Sequence, residues 1–439
     1  MSKETLPIVT IVGRPNVGKS SLFNRLLGER KAIVSDTPGT TRDRVQAIVE
    51  WGGRDFWLVD TAGMESATSD LEVSMQDQLS VARDQADLIL IVIDSSTILS
   101  DSDSRIIKDA HKSGKPIIVA ANKADHKRPQ VEFDKLHAKT IVPVSAIHGT
   151  GSGDLLDAIV DQIPKARKST EKEETTIALL GRPNVGKSSI LNTLSGEERA
   201  IVDDTGGTTR DVNDALITRE GRKWRLLDTA GIRKIGKRGS AIEHYSSLRS
   251  LSAINESDIC VLVTDATEPA TGQEQRIAGM IKEAGKGMII VVNKWDLTDR
   301  TDDEAKRLER IFRHQFQFVW WAPLIMTSAT TKHNLFKIFD IAKEVEKNRK
   351  RKLTTRQLNK FLEEAVGEHP PAGLKNRHPK LRYITQVDID PPTFAVFGTQ
   401  TLFLHWSYKR YLEGRLREAY DYSGTPIRFR WRDNKGDKE

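Results

Sequence analysis

The octapeptide Gly13-Arg-Pro-Asn-Val-Gly-Lys-Ser20 recurs unchanged as Gly181-Arg-Pro-Asn-Val-Gly-Lys-Ser188, 168 residues further along the chain. Each copy follows a short apolar run, Ile8–Val12 or Ile177–Leu180, and precedes a helix-compatible stretch. Strand, glycine-rich loop and helix form the setting in which G-x-x-x-x-G-K-S cradles a phosphate chain. Backbone N–H groups of the loop and of the helix N-terminus point at the phosphates, and glycine lets the backbone come close. Average composition produces such a match in only about 1–2% of chains of this length. Two matches in the right setting confine the chain to a nucleotide-binding α/β architecture built twice.

The repeat extends beyond this loop. Thr40-Thr-Arg-Asp43 returns as Thr208-Thr-Arg-Asp211, and Asp60-Thr-Ala-Gly63 as Asp228-Thr-Ala-Gly231, both at the same offset. Asn122-Lys-Ala-Asp125 and Asn293-Lys-Trp-Asp296 are 171 apart, and Ser145-Ala146 and Ser328-Ala329 are 183 apart, a drift that places insertions in surface loops of the second copy. Near-continuous aliphatic runs such as Leu88–Asp94 and Ile259–Asp265 alternate with helical stretches. This predicts mostly parallel sheets with helices on both faces. The predicted organisation is a first nucleotide-binding domain at 1–165, a linker at 166–175, a second such domain at 176–346, a basic α+β module at 347–433 and a tail at 434–439. The charged, Ser/Thr-rich run Pro164–Thr175 reads as an exposed connection.

Each position in the repeat has a chemical reason. The backbones of Gly13, Arg14, Pro15, Asn16, Val17 and Gly18 are expected around the phosphates, with Gly181, Arg182, Pro183, Asn184, Val185 and Gly186 in the second copy. Lys19 and Lys187 reach the β- and γ-phosphates. A magnesium ion is expected on the hydroxyls of Ser20 and Thr41 with Asp60, and on Ser188, Thr209 and Asp228 in the second copy. Thr61, Ala62 and Gly63, like Thr229, Ala230 and Gly231, form the loop that meets the γ-phosphate, the glycine offering its N–H. Asp125 and Asp296 select the base, because a carboxylate accepts from both N1–H and the 2-amino group of guanine, a pairing adenine cannot make. Asn122, Lys123 and Ala124, and Asn293, Lys294 and Trp295, complete those loops, while Ser145-Ala146 and Ser328-Ala329 are expected to offer an N–H to guanine O6. Where many GTPases carry the glutamine that orients the attacking water, this chain has Met64 and Ile232, which make no strong hydrogen bond. Hydrolysis must be assisted by another group.

The net charge of +7 is uneven. Residues 347–439 hold 20 Lys+Arg against 11 Asp+Glu, so the rest of the chain is close to neutral. A polyanion-facing C-terminal module is the expectation. The single cysteine, Cys260, lies in an apolar run and reads as a buried thiol in a reducing compartment. The N-terminal residues carry no apolar core of a secretory signal, and the longest aliphatic run, Leu88–Ile93, is far short of the roughly 20 residues that span a bilayer. A cytoplasmic protein without membrane attachment is predicted.

These motifs resemble those of the translation-factor-related GTPases and, through the tandem arrangement, the Der (EngA) family of bacterial double-G-domain proteins. The likeness extends into the C-terminal module at Leu381-Arg-Tyr, Pro391-Pro-Thr-Phe, Ser407-Tyr-Lys-Arg-Tyr-Leu and Gly424-Thr-Pro-Ile, which resemble the family's KH-like domain. The resemblance implies GTP hydrolysis, cycling between GTP- and GDP-bound domain arrangements, and a part in assembly of the large (50S) ribosomal subunit in contact with its rRNA, as a monomer off the ribosome. It also implies K⁺ beside the phosphates, held by Asn16 and Asn184 in the manner of relatives with an apolar residue after Asp-x-x-Gly. Two rivals stand beside it: an RNA-binding scaffold in which one G domain is only structural, and a tRNA-modification accessory GTPase. No Gly-x-x-Gly clamp occurs in the C-terminal module, so Lys375, Arg377, Lys380, Arg382, Lys409 and Arg410 are the candidate rRNA contacts. Phe394, Phe397, Trp406 and Tyr411 are expected in its core, and Trp320-Trp321 beside the last strand of the second G domain. After Asp-Thr-Ala-Gly the first copy continues with Glu65, Asp70, Glu72 and Asp77, the second with Arg233, Lys234, Lys237 and Arg238. Pro38-Gly39 becomes Gly206-Gly207 in the second copy, which predicts a looser loop around Thr209.

Overall fold

Aliphatic strands with both faces buried organise two sheets of one topology in the computed structural model, which describes residues 4–28, 46–60, 86–125, 138–164, 167–168, 174–197, 214–228, 250–374 and 377–433. The chain divides into two compact units, residues 1–171 with 236–255, and residues 172–235 with 256–439.

In the first unit, β1 (Glu4–Thr5) and β2 (Ile8–Val12) precede helix α1 (Lys19–Gly28). β3 (Gln46–Trp51) and β4 (Arg54–Asp60) form an antiparallel hairpin. β5 (Leu88–Asp94), α2 (Asp101–His111), β6 (Ile117–Asn122), β7 (Ile141–Pro143) and α3 (Ser152–Gln162) follow. The sheet order is β3-β4-β2-β5-β6-β7, with every pairing after β4 parallel. The two-residue strand period divides the core. Leu88, Leu90 and Val92 enter the cluster under α1 and α3, whereas Ile89, Ile91 and Ile93 enter the one under α2.

The second unit repeats this order. β9 (Glu174–Leu180), α4 (Lys187–Glu197), β10 (Ala215–Arg219), β11 (Arg222–Asp228), β12 (Ile259–Asp265), α5 (Gly272–Glu283), β13 (Gly287–Asn293), α6 (Asp302–Gln315), β14 (Leu324–Met326) and α7 (Lys337–Arg349) give the sheet β10-β11-β9-β12-β13-β14. The C-terminal module adds α8 (Thr355–Glu368), β15 (Lys380–Ile389), β16 (Pro392–Thr399), α9 (Trp406–Ala419) and β17 (Arg428–Asp433). β16 pairs antiparallel with β15 and parallel with β17, and both helices pack on one face through Leu358, Leu362, Ile384, Phe394, Val396 and Leu412.

Three expectations are corrected. The run from Pro164 to Thr175 is not all exposed connection. Short β8 (Arg167–Lys168) pairs with β1, and Glu174 and Thr175 already belong to β9, where their backbones pair with Lys223 and Trp224. Of the aromatic residues expected inside, Phe394 is fully buried, but Trp406 is 50% exposed and Phe397 sits on the sheet face away from the helices. Trp321 is buried, whereas Trp320 is 44% exposed.

The C-terminal module is fastened to the second G domain inside the second unit. The amide of Met288 donates to Gly424 O and the amide of Gly424 to Trp321 O, both at 2.9 Å. Arg349 donates to Gly285 O at 2.8 Å and pairs with Asp390. Arg417, 5% exposed, reaches the carbonyls of Tyr422 and Thr425 at 2.9 Å, pairs with Glu413, and lies over the rings of Trp320 and Trp321. A buried guanidinium so fully partnered leaves several orphaned groups when removed. Arg417→Ala is expected to destabilise this unit by about 3–5 kcal/mol, read as a lowered urea midpoint by tryptophan fluorescence; an unchanged midpoint would contradict the seam described here.

Candidate nucleotide sites

Both phosphate loops leave the carboxyl end of a central strand, where the chain order on the sheet reverses. Open α/β sheets bind ligands at such switch points. In the first copy Lys19, 3% exposed, donates from Nζ to Gly13 O at 2.5 Å and Arg14 O at 2.8 Å. In the second, Lys187 Nζ donates to Gly181 O at 2.9 Å and Arg182 O at 2.7 Å. The lysine is thus threaded beneath its own loop, with its ammonium facing the space that the loop encloses. Asn16 and Asn184 take left-handed backbone conformations, φ 64° and 65°, and their side chains are exposed. Pro15 and Pro183 precede them on the loop surface, while Val17 and Val185 are buried under it.

A buried asparagine ties each phosphate loop to the two base loops. Asn122 Nδ2 donates to Val17 O at 2.8 Å, and its Oδ1 accepts from Ala146 N at 3.0 Å. Asn293 repeats both bonds, to Val185 O at 2.9 Å and from Ala329 N at 3.1 Å. The bridge explains Gly18 and Gly186: at φ 93° and 99°, a Cβ on either would overlap the amide nitrogen of Asn122 or Asn293. It also redirects one expectation. The N–H groups of Ala146 and Ala329, read from sequence as donors to guanine O6, are spent on the asparagine. Ser145 and Ser328 are buried behind them and accept from His148 N at 3.3 Å and Thr331 N at 3.0 Å.

The next residue of each base loop, Lys123 or Lys294, is also left-handed, at φ 63°. Lys123 Nζ pairs with Asp94 Oδ2 at 2.5 Å, and Lys294 Nζ with Asp265 Oδ2 at 2.6 Å. Burial pushes both carboxyls up, but the lysine ammonium and the Ser96 or Thr267 hydroxyl and amide outweigh it and hold both below the usual carboxylate range. The amides of Ala124 and Trp295 close the loops on Val144 O and Thr327 O, both at 3.0 Å. Asp125 stands 3.7 Å from His148 Nε2, and Asp296 opens toward solvent in a short 3₁₀ turn. At the metal position of the first copy, Ser20 Oγ donates to Asp60 Oδ2 at 2.6 Å. One hydroxyl and one carboxylate are hard oxygen donors suited to Mg²⁺ when phosphate oxygens and water complete the shell. Ser188 occupies the equivalent place at the start of α4, and Asp228 ends β11. Thr41, Thr61, Ala62, Gly63, Met64, Thr209, Thr229, Ala230, Gly231 and Ile232 lie outside the described residues, as do the side chain of Asp228, the charged runs that follow, Pro38-Gly39, Gly206-Gly207 and Lys375.

Two supports are not announced by the nucleotide motifs. The first is the arginine of each phosphate loop. Arg14 Nε donates at 2.7 Å to Asp103, 2% exposed, and Asp103 also caps the start of α2 through Ser100. Arg182 reaches Glu274, fully buried, at 3.2 Å, and Glu274 caps α5 through Thr271; Glu268 adds a second carboxylate at 2.5 Å. The spacing Ser-x-x-Asp and Thr-x-x-Glu is the one signal of it in the sequence. The second is Arg25 of α1, whose fork grips the carbonyls of Ala146 and Ile147; at the equivalent place in the second copy Thr193 stands 3.3 Å from Ala329 O.

A family model described as "50S ribosome-binding GTPase" matches residues 8–123 and again 176–294, and one described as the KH-domain-like C-terminal part of EngA bacterial GTPase enzymes matches residues 352–432. GTPase Der of a Geobacillus species is 43% identical over 430 residues, covering 97% of this chain and 98% of the relative. GTPase Der of Thermomicrobium roseum is 43% identical, covering 98% and 96%. Among solved structures, GDP·AlF4-bound Era of Aquifex aeolicus is 20% identical and covers 60% of this chain and 93% of its own, with a TM-score of 0.32.

Two outcomes follow from the geometry. Arg14→Met or Arg182→Met is expected to weaken nucleotide binding at its own site alone by about 10- to 150-fold, since a charge-assisted bond contributes roughly 1.5–3 kcal/mol; fluorescent-GDP titration of each variant checks this, and equal affinity would contradict it. Replacing Asp94 with Asn removes a carboxyl whose pKa is lower in the folded chain. The wild-type advantage in urea stability is therefore present at pH 7 and holds down to the unfolded value of 3.8. It should disappear only as pH falls below that, through the depressed folded value.

Proposed function

This chain belongs to the Der (EngA) family of GTPases, and on that premise we propose that both of its G domains bind GTP and hydrolyse it to GDP and phosphate, as a switch in assembly of the large ribosomal subunit. The observation that carries this reading is the asparagine bridge present in both copies. It joins phosphate loop and base loops into one receptor in each copy, which supports nucleotide binding at both sites.

The residue roles follow from position. Lys19 and Lys187 exchange loop carbonyls for β- and γ-phosphate oxygens, a short movement of a buried ammonium. Asp125 and Asp296 accept from the guanine Watson–Crick edge, and Lys123 and Lys294, steered by Asp94 and Asp265, flank the base. With the Ala146 and Ala329 amides engaged, the N–H groups of Ile147 and Thr330 are the next donors along each loop for guanine O6. Ser20 with Asp60, and Ser188 with Asp228, are the Mg²⁺ holders, with Thr41 and Thr209 closing over from the switch loops. Bound Mg²⁺ neutralises charge on the β- and γ-oxygens. Gly63 and Gly231 offer N–H groups to the γ-phosphate.

K⁺ assistance is proposed at Asn16 and Asn184. Neither side-chain amide hydrogen-bonds another described residue, and both are exposed, which supports their being available to a cation. No helix among the described residues is long and apolar enough to cross a membrane. A cytoplasmic protein meeting rRNA through its basic C-terminal domain, and monomeric off the ribosome, completes the proposal. The family-model description of a 50S ribosome-binding GTPase supports it.

Turnover by Lys19→Ala and by Lys187→Ala, each measured in KCl and in NaCl, tests this. Each variant is expected to lose the contribution of one site, and the wild type to turn over at least tenfold faster in KCl. A variant with unchanged turnover would remove hydrolysis from that site, and equal rates in the two salts would remove K⁺. Co-sedimentation with large ribosomal subunits in the presence of GTP, and its absence with GDP, tests the assignment to assembly.

A further inference from the structure

The C-terminal sheet has a face that its own helices leave uncovered. Strand register places Tyr383, Phe397 and Arg432 side by side across β15, β16 and β17, with Thr385, Ala395 and Arg430 in the next row and Asp388, Thr393 and Arg428 in the third. Their neighbours Ile384, Val396 and Trp431 point the other way, toward α8 and α9. The third row is already engaged: Arg428 donates to Glu283 O at 2.6 Å in the second G domain. The first row is open; in the second, Ala395 is buried and the Thr385 hydroxyl lies 3.5 Å from that of Thr355 on α8, which leaves Arg430 as its exposed member. Tyr383 is 41% exposed, its ring centroid 5.8 Å from that of Phe397, and Arg430 and Arg432 are exposed.

Four cations border this end, Lys380, Arg382, Arg430 and Arg432, all exposed. None of the four side chains makes a hydrogen bond or ion pair with another described residue. Neither of the first two rows contains a carboxylate, and the nearby Asp433 is turned away to hold Thr401 at 2.6 Å. Arginines two apart on one strand stand about 6.6–6.8 Å from each other on the same side. Held there without counter-charge, they repel one another and are matched by a ligand with repeated negative charges. By contrast, the cations on the helix side are already occupied by rings: Arg377 lies over Phe403, Lys409 over Trp431 and Arg410 over Trp406.

We propose that this sheet face, centred on Tyr383, Phe397, Arg430 and Arg432, is a docking surface for single-stranded RNA. The exposed ring of Tyr383, backed by Phe397, stacks on a base, and the arginine column contacts successive phosphates. Sheet faces that present aromatic rings bind single strands in this way, because every base has a π-face. The surface takes the place of the Gly-x-x-Gly clamp that the sequence lacks. This inference deepens the rRNA contact proposed above and rests on that reading.

The test uses the full-length chain and a fluorescent 12-nucleotide single-stranded RNA, with affinity measured against salt. The double variant Arg430→Gln/Arg432→Gln is expected to raise Kd at least tenfold and to flatten the salt slope by about 1.4, two phosphate contacts at roughly 0.7 each. Tyr383→Ala is expected to raise Kd about 5- to 100-fold with the slope unchanged. GTP turnover, unaltered in both, shows that the chain is folded. Unchanged affinity in these variants, or a loss confined to Lys409→Gln/Arg410→Gln, overturns the proposal. Parallel co-sedimentation with large ribosomal subunits separates the two readings. If wild-type protein sediments with subunits while the sheet variants bind RNA normally, the surface is wrong and the ribosomal role stands. If RNA binding collapses in the sheet variants and the wild type does not sediment, the surface stands and the ribosomal role falls.

Discussion

A single buried amide holds each nucleotide site together. Asn122 and Asn293 sit at the ends of central strands, and each spends its nitrogen on the phosphate loop and its oxygen on the last base loop. Three segments far apart in sequence are thereby fixed in one frame, inside a region that excludes water. An amide in such a place is costly to leave unsatisfied, so the three loops have one arrangement in which every bond is made. The glycines that touch this amide follow from the same constraint, since any side chain there would push the loops apart.

Around this common frame the two copies differ in how tightly secondary supports are drawn. The first holds its last base loop with the forked guanidinium of Arg25, the second with the hydroxyl of Thr193. The second instead sets two carboxylates on its loop arginine, Glu274 and Glu268, where the first has Asp103 among the described residues. It is also the copy fastened to the C-terminal module, through Gly424, Arg349 and Arg417. The basic module and the second G domain share buried polar bonds, which couple the two within the second unit.

Much of this is legible in the sequence because phosphate and guanine recognition demand particular residue types at particular spacings. The loops, Asn122, Asp125 and their counterparts are placed by residue pattern alone, and so are the central strands, because fully buried parallel strands read as aliphatic runs. What escapes the pattern are supports made by residues of ordinary type. Arg14 looks like a surface residue until Asp103, 89 positions away, is seen beside it. The amides of Ala146 and Ala329 look free for the base because sequence does not reveal that an asparagine oxygen claims them first. In the C-terminal module, alternation along β15 to β17 marks which residues share a face, yet not which face the helices cover. Aromatic character alone therefore points Trp406 and Phe397 to the core, whereas one is half exposed and the other lies on the helix-free face of the sheet.

Two separate receptors for guanine nucleotide in one chain entail two bound nucleotides per molecule. Calorimetric titration of the full-length protein with GDP and Mg²⁺ tests this most directly. Two GDP per chain are expected, one lost in Asn122→Ala and the other in Asn293→Ala, with no comparable heat from ADP. A stoichiometry of one or none, or equal binding of ADP, would contradict it.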